Sequence, residues 1–450
     1  MVLSLVLALM SISAAQLRFT FDAWWHLRSG DLILDRGAIP REDPFAWTAA
    51  GRPWRLNSWL YDVLAAELRR LGGRGALVTL TLVAVFAFGM AAYLLARRAG
   101  ARQWPSVAVA GGLTFLLTPL VAERPQQLTY VLFAATLALA PLALRGSNPA
   151  LVGLAAIFVF WANLHFAFSA GAVLVVLLAT GTAIQERRPG RAAVVTATVL
   201  AAALVNPFGW RAYGAAFETR GTSRVIEEWK RLSPTSLRDL LFMAVIALAA
   251  AALWRTGRWR RLSSILPVIA FSMLAVDAVR NVPYLFLVAA AELALAGSAL
   301  RLQRLRRWCR PPRGQLLVHG VALALGALVL LSLPSLAGAR PAGSDVNPVR
   351  STVAIPTGCR LLNQYEFGGY ITDQRWPEVL VSQDGRNGSE QDFERQQDVI
   401  DNAPGALEWI DDHSVDCVLV APDEPIVMEL EGAGWRTAES EASAVLLVRP

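Results

Sequence analysis

The chain has 450 residues, of which 55% are hydrophobic and only 17% charged, and its mean hydropathy is +0.42. Apolar runs of roughly the 20 residues that a bilayer demands recur along most of it, which excludes an ordinary soluble protein over that stretch. The net charge of +7 is carried by arginines in short connectors, with Lys230 the only lysine, so it reads as a topology signal and excludes a nucleic-acid partner.

Residues 1–16 form an apolar run that is short for a span, with no positive charge before Arg18. It reads as a first transmembrane helix whose beginning precedes this start, with a cleaved signal peptide as the alternative. A long loop, 17–73, follows. Its stretch DAWWHLRSGDLILDR (22–36) predicts a helix that sets Asp22 and His26 one turn apart. Residues 56–71 carry Leu56, Trp59, Leu60, Val63, Leu64, Leu68 and Leu71 at helical spacing, with Arg69 and Arg70 off the stripe. That second helix is expected to lie in the membrane interface. Trp24, Trp25, Trp47, Trp54 and Trp59 are expected to anchor the loop there, with stacking on a sugar or covering a lipid chain as the alternative. Between the two helices, Glu42 and Asp43 form an acidic pair in a proline-flanked turn.

Further spans are expected at 75–96, 104–121, 127–144, 150–164, 167–185, 192–206, 237–254, 262–278, 282–300 and 315–336, about eleven in all with the first. Connectors alternate in character. One set holds Arg97, Arg98, Arg102, Arg145, Arg187, Arg188, Arg191, Arg255, Arg258, Arg260 and Arg261, then six arginines between 301 and 313. The short connectors of the other set hold only Arg124 and Arg280. Positive charge in short loops marks the cytoplasmic side, so the N-terminus is expected inside and the C-terminal domain outside.

Residues 337–450 have soluble composition. Strands are expected at 378–384, 414–420 and 444–449, with helices at 389–402 and 404–413 between the first two. The fold class is thus an all-α polytopic membrane domain (1–336) with a small extracytoplasmic α/β domain (337–450). Tyr365-Glu366-Phe367-Gly368-Gly369-Tyr370 and Asp384-Gly385-Arg386 read as turns, the former next to a ligand or simply between strands. Cys359 and Cys417 both fall in this domain, where one disulfide or two buried thiols are equally open readings. Cys309 lies in an arginine-rich connector.

Several strings resemble a group of bacterial membrane proteins placed with the GT-C glycosyltransferases. They are Asp22-Ala23-Trp24-Trp25-His26-Leu27, Gly37-Ala38-Ile39-Pro40, Asp43-Pro44-Phe45, Arg124-Pro125-Gln126 and Trp161-Ala162-Asn163-Leu164-His165. Asn206-Pro207-Phe208-Gly209-Trp210-Arg211, the 363–370 stretch and Asp384-Gly385-Arg386 complete the set. The resemblance implies a multi-pass enzyme of the bacterial cytoplasmic membrane. It would transfer a sugar from a polyprenyl-phosphate donor to a glycan, lipid or protein acceptor on the outer face.

By the same resemblance, Asp22 matches the first-loop catalytic or metal-binding acid, with His26 beside it; considered alone, Asp22 also suits a helix N-cap. A divalent cation such as Mg or Mn would be held by Asp22 with Glu42 and Asp43. The chain departs from the family pattern where a second acid often stands, since Ala23 and Trp24 occupy those positions. Either Glu42 and Asp43 fold back, or no metal binds, or the chemistry is lost. Arg124, Arg211 and Arg280 are candidates for the departing phosphate, with ion pairs to Glu123 or Asp277 as the alternative. Asn163, His165 and Asn206 are candidates for sugar hydroxyls. No Walker, dinucleotide-binding or HExxH motif occurs, so a nucleotide-sugar donor is disfavoured. A lipid-linked glycan flippase and a non-catalytic envelope-assembly scaffold are the alternatives.

Overall fold

A computed structural model describes residues 20–214, 227–300, 347–386 and 390–450. In the first part, helices α1 (Phe21–Arg36), α2 (Trp59–Arg98), α3 (Gln103–Leu117), α4 (Gln126–Leu144), α5 (Asn148–Leu164), α6 (Phe168–Gln185), α7 (Pro189–Ala202), α8 (Leu237–Thr256), α9 (Leu262–Asp277) and α10 (Val282–Ala299) form one bundle. Five of its segments are long and apolar enough to cross a membrane, and α5, α7 and α9 are shorter apolar helices. The chain is a multi-pass membrane protein. Nine of the expected spans each coincide with one of these helices, while 2–16 and 315–336 lie outside the described residues.

The bundle core is aromatic, with Phe88, Phe133, Phe158, Trp161, Phe271 and Phe286 all essentially inaccessible. Large apolar side chains such as Phe115, Val152, Ile184, Leu248 and Met273 point outward instead. A helix apolar on both faces is what a hydrocarbon surround requires, since only packing, not polarity, distinguishes inside from outside there.

Hydrogen bonds gather the arginine-rich connectors at one end. Arg188 donates to the Arg145 carbonyl at 3.3 Å, Arg191 to that of Ala143 at 2.7 Å, and Gln185 to that of Arg260 at 2.6 Å. The 19 residues of α4 separate that end from Arg124 by about 28 Å at 1.5 Å per residue.

The loop helices form as expected, with one refinement. The 56–71 helix and the first described apolar segment are joined into α2, interrupted where Gly72 (φ −144°) and Gly73 (φ 60°) leave helical geometry. Gly30 lets α1 and α2 touch, because a Cβ there would sit 2.0 Å from the Asp62 carbonyl oxygen. The apolar stripe of 56–71 is left partly exposed, with Leu71 81% accessible, while Tyr61, Asp62, Ala65 and Ala66 form the buried face. The tryptophans contact other parts of the chain. Trp47 is buried and donates to the Leu361 carbonyl at 2.9 Å, Trp59 donates to Asn163 at 3.0 Å, and Trp24 packs edge-on against Tyr370.

The C-terminal part contains α11 (Val349–Ala354), β1 (Leu361–Asn363), α12 (Tyr365–Arg375), α13 (Glu390–Ile400), α14 (Ala406–Asp412), β2 (Cys417–Val420), α15 (Pro425–Gly432), β3 (Arg436–Glu441) and β4 (Ala444–Val448). Its sheet has the order β1-β2-β4-β3, with β1 parallel to β2 and the other pairs antiparallel. β2 and β4 stand where expected. The 378–384 stretch does not: it makes only isolated bridges, Leu380 to Arg360 and Val381 to Ala46, because first-loop residues cover it in place of a neighbouring strand. Tyr365–Tyr370 is not a turn but opens α12. Cys359 and Cys417 are joined in a disulfide next to the β1–β2 pair.

Candidate functional site

A cavity of about 290 Å³ lies at the end of the bundle remote from the arginine-rich connectors. Four kinds of element build it: the start of α1, the 53–58 segment before α2, the helix ends around Arg124, His165 and Arg280, and Tyr365, Gly385 and Arg386 of the C-terminal part. Pieces of five of the resemblance strings, far apart in the chain, meet there.

Asp22 stands in the first turn of α1 without capping it, so its carboxylate is available to side chains. It pairs with Arg124 at 3.0 Å and accepts from the Trp25 indole at 3.3 Å. Arg124 reaches Glu228 at 2.6 Å through its other nitrogen, and Arg280 meets the second Glu228 oxygen at 3.3 Å. Asp22, Arg124, Glu228 and Arg280 therefore form one alternating row of charges. Burial alone would raise the Glu228 carboxyl, but the two guanidinium groups hold it below the usual range. Arg280 is further fixed over the Trp229 ring, 4.0 Å from its centroid. The expected partners Glu123 and Asp277 are not the ones used. Glu123 is buried, with no hydrogen-bond partner for its carboxylate among the described residues, and Asp277 faces Arg231 at 3.7 Å.

His26, one turn beyond Asp22, lies against Asp62, with its Nδ1 2.6 Å from a carboxylate oxygen. Asp62 is fully buried, and its other oxygen is 3.4 Å from the Ser58 hydroxyl. His165 also borders the cavity, bonded through Nδ1 to Thr129 at 3.1 Å. Burial, reinforced by Arg280, holds it well below the ordinary histidine range, so it is neutral at pH 7.

The C-terminal part forms the roof. A Cβ on Gly385 would lie 2.1 Å from the nearer Asp22 oxygen, so only glycine permits this approach. Arg386 is clamped by Asp384 at 2.6 Å and by Asp43 at 2.9 Å, and it covers the Phe45 and Trp54 rings. Burial raises the Tyr365 hydroxyl well above its usual range, with the Asp22 charge adding to it, so it stays protonated beside the Gly385 carbonyl.

The remaining expected residues are elsewhere. Arg211 is exposed and lines no part of the cavity. Asn163 donates to the Val159 and Val205 carbonyls and accepts from Trp59. Asn206 bonds the Ala203 and Gly209 carbonyls and the Phe208 amide, so both asparagines are spent on holding the chain.

The proposed cation ligands do not assemble either. Glu42 is exposed, and Asp43 caps the Phe45 and Ala46 amides and pairs with Arg386. Asp22 and Glu228 both face guanidinium groups. Among the described residues no group of three or more His, Cys, Asp or Glu is arranged to hold a metal ion. This donor set does not fit a divalent cation.

No protein-family profile matches the chain, and no curated protein sequence matches it. Solved structures do. The oligosaccharyltransferase AglB of Archaeoglobus fulgidus, in complex with an inhibitory peptide and a dolichol-phosphate, aligns with a TM-score of 0.64 at 11% identity, covering 92% of this chain and 68% of that one. The same organism's oligosaccharyltransferase, tethered to an acceptor peptide containing the NVT sequon, aligns at 0.64 and 13% identity over the same shares. Its complex with Zn and sulfate gives 0.58 and 12% identity, covering 92% of this chain and 67% of that one. The fold is thus similar to that of an archaeal oligosaccharyltransferase.

Proposed function

We propose that the protein is a membrane glycosyltransferase that moves a sugar or glycan from a polyprenyl-phosphate-type lipid onto an acceptor at the outer face of the cytoplasmic membrane. The observation that carries this reading is the charge row at the cavity: Asp22 and two guanidinium groups, Arg124 and Arg280, converge where helix ends meet the roof. Breaking a glycosyl–phosphate bond leaves an anion. Preorganised guanidinium groups in a partly desolvated cavity stabilise that charge as it develops. The donor's phosphate would take the place of the Glu228 carboxylate between them. Asp22 and His26 stand at the floor, where an attacking hydroxyl must lose its proton.

The neighbours support this reading, since one holds a dolichol-phosphate and another an acceptor peptide. The apolar runs of the sequence give about eleven spans, and the charge rule puts the arginine-rich connectors in the cytoplasm and the cavity outside. A disulfide in the C-terminal part suits an oxidising compartment.

The test is transfer by the purified protein in nanodiscs, using radiolabelled polyprenyl-phosphate sugars and a panel of hydroxyl acceptors. Wild type transfers label; Asp22→Asn and Arg124→Ala lose about a hundredfold or more of turnover. Undiminished transfer by both variants would remove the site, and movement of lipid across proteoliposomes without transfer would replace the enzyme by a flippase.

A further inference from the structure

The pair His26–Asp62 at the cavity floor is a contact that the sequence motifs did not contain. Asp62 is 36 positions away in the chain and belongs to the interfacial segment of α2. Close approach of α1 and α2 at Gly30 brings it against the histidine. The imidazole is held on three sides: Trp25 stacks on it with centroids 3.6 Å apart, Tyr61 meets it edge-on at 5.2 Å, and Asp62 takes Nδ1 at 2.6 Å. The 2.6 Å contact sets one proton between Asp62 and Nδ1; with the carboxyl as acceptor, the ring carries that proton at Nδ1 and leaves Nε2 bare. The other nitrogen, Nε2, has no hydrogen-bond partner among the described residues, and the ring borders the cavity. Asp22, by contrast, has both oxygens engaged, one by Arg124 and one by Trp25. Burial holds His165 well below the ordinary histidine range, which makes it a weak proton acceptor, and its Nδ1 meets a hydroxyl of Thr129 and no carboxylate.

We propose that His26 is the proton acceptor of the transfer step through Nε2, and that Asp62 is the positioning residue that fixes its tautomer and orientation. This rests on the glycosyl-transfer reading of the same cavity. In the step, the acceptor oxygen's lone pair forms the bond to the anomeric carbon. The bond from that carbon to the phosphate oxygen breaks, and its electron pair leaves with the phosphate between Arg124 and Arg280. The acceptor's proton passes to Nε2, and the imidazolium returns it to water. Asp22 then serves to hold Arg124 in place.

The experiment reads the tautomer directly. Nitrogen-15 NMR of histidine-labelled full-length protein in nanodiscs resolves four histidines, and a His26→Gln sample assigns the signal. The expected result is a neutral ring protonated at Nδ1 in wild type, with the Nε2-protonated form appearing in Asp62→Asn. In the transfer assay Asp62→Asn should lose about a hundredfold in kcat with the donor KM nearly unchanged, as for a general base in the wrong tautomer. A wild-type ring protonated at Nε2, or a tautomer indifferent to Asp62→Asn, overturns the proposal without recourse to activity. Transfer by His26→Gln at the wild-type rate overturns it as well. Absence of transfer by every preparation, with the tautomer as expected, would instead count against the glycosyl-transfer reading.

Discussion

Glu228 bridges Arg124 and Arg280, and its carboxyl is held below its ordinary value of 4.5. A carboxyl depressed in the folded state contributes stability that is complete above its unfolded value and is lost as pH falls through the folded one. Glu228→Gln should therefore melt at a lower temperature than wild type near pH 7. The gap should persist to about pH 5 and close in more acid solution, as differential scanning fluorimetry across pH will show. The same variant should bind inorganic pyrophosphate more tightly, because the competing carboxylate is gone. Asp43 acts in another way, capping two amides and holding Arg386 against the roof. Asp43→Ala should cost about 3 kcal/mol in denaturant unfolding, as expected when one partner of a largely buried ion pair is removed. Arg124, His165 and Arg280 were legible in the sequence because a polar residue at the end of an apolar run stands out, and Asp22 and His26 because helical spacing sets them one turn apart in a string that carries the resemblance. Asp62 and Glu228 were not, since each matters only through contacts that tertiary packing creates. Arg211, Asn163 and Asn206 look equally conspicuous in the sequence, but whether an amide faces a cavity or its own backbone is decided by the turn around it.

At the scale of elements, α1 and α2 meet at Gly30, where the Asp62 carbonyl leaves no room for a methyl group. Alanine favours an isolated helix over glycine by about 1 kcal/mol, yet Gly30→Ala should destabilise the protein by about 1–3 kcal/mol, because two backbones must separate. Thermal unfolding in detergent distinguishes the two signs. The Cys359–Cys417 disulfide closes a segment with a sequence separation of 58. Its loss in Cys359→Ser should lower stability by about 2–4 kcal/mol, read from denaturant unfolding followed by a C-terminal tryptophan signal. The bundle helices were readable nearly throughout, since long apolar runs and arginine punctuation survive any packing. The small sheet was readable only for β2 and β4, whose apolar runs are continuous. EVLVSQD has the composition of a strand, but Ala46 and the 47–49 turn occupy the side where its neighbour would lie. Tyr365–Tyr370 looked like a turn because of its glycines, and it is a helix because those glycines let α12 pack closely.

For the whole molecule, the decisive arrangement is that bundle and C-terminal part share one cavity, at the end away from the arginine-rich connectors. Helix termini supply the guanidinium groups, the first loop supplies Asp22 and His26, and the roof brings Gly385 onto Asp22. A reaction there would draw its donor from the membrane and its acceptor from the space beyond it. Cysteine accessibility in intact cells tests this most directly, after Cys309→Ser removes the remaining free thiol. Exposed positions at each end are replaced singly, as Glu42→Cys, Met428→Cys and Arg187→Cys, and treated with a membrane-impermeant maleimide. The account predicts that the first two react in intact cells and the third only after permeabilisation. Reaction of positions 42 and 428 from opposite sides, or of position 187 together with them in intact cells, would contradict it.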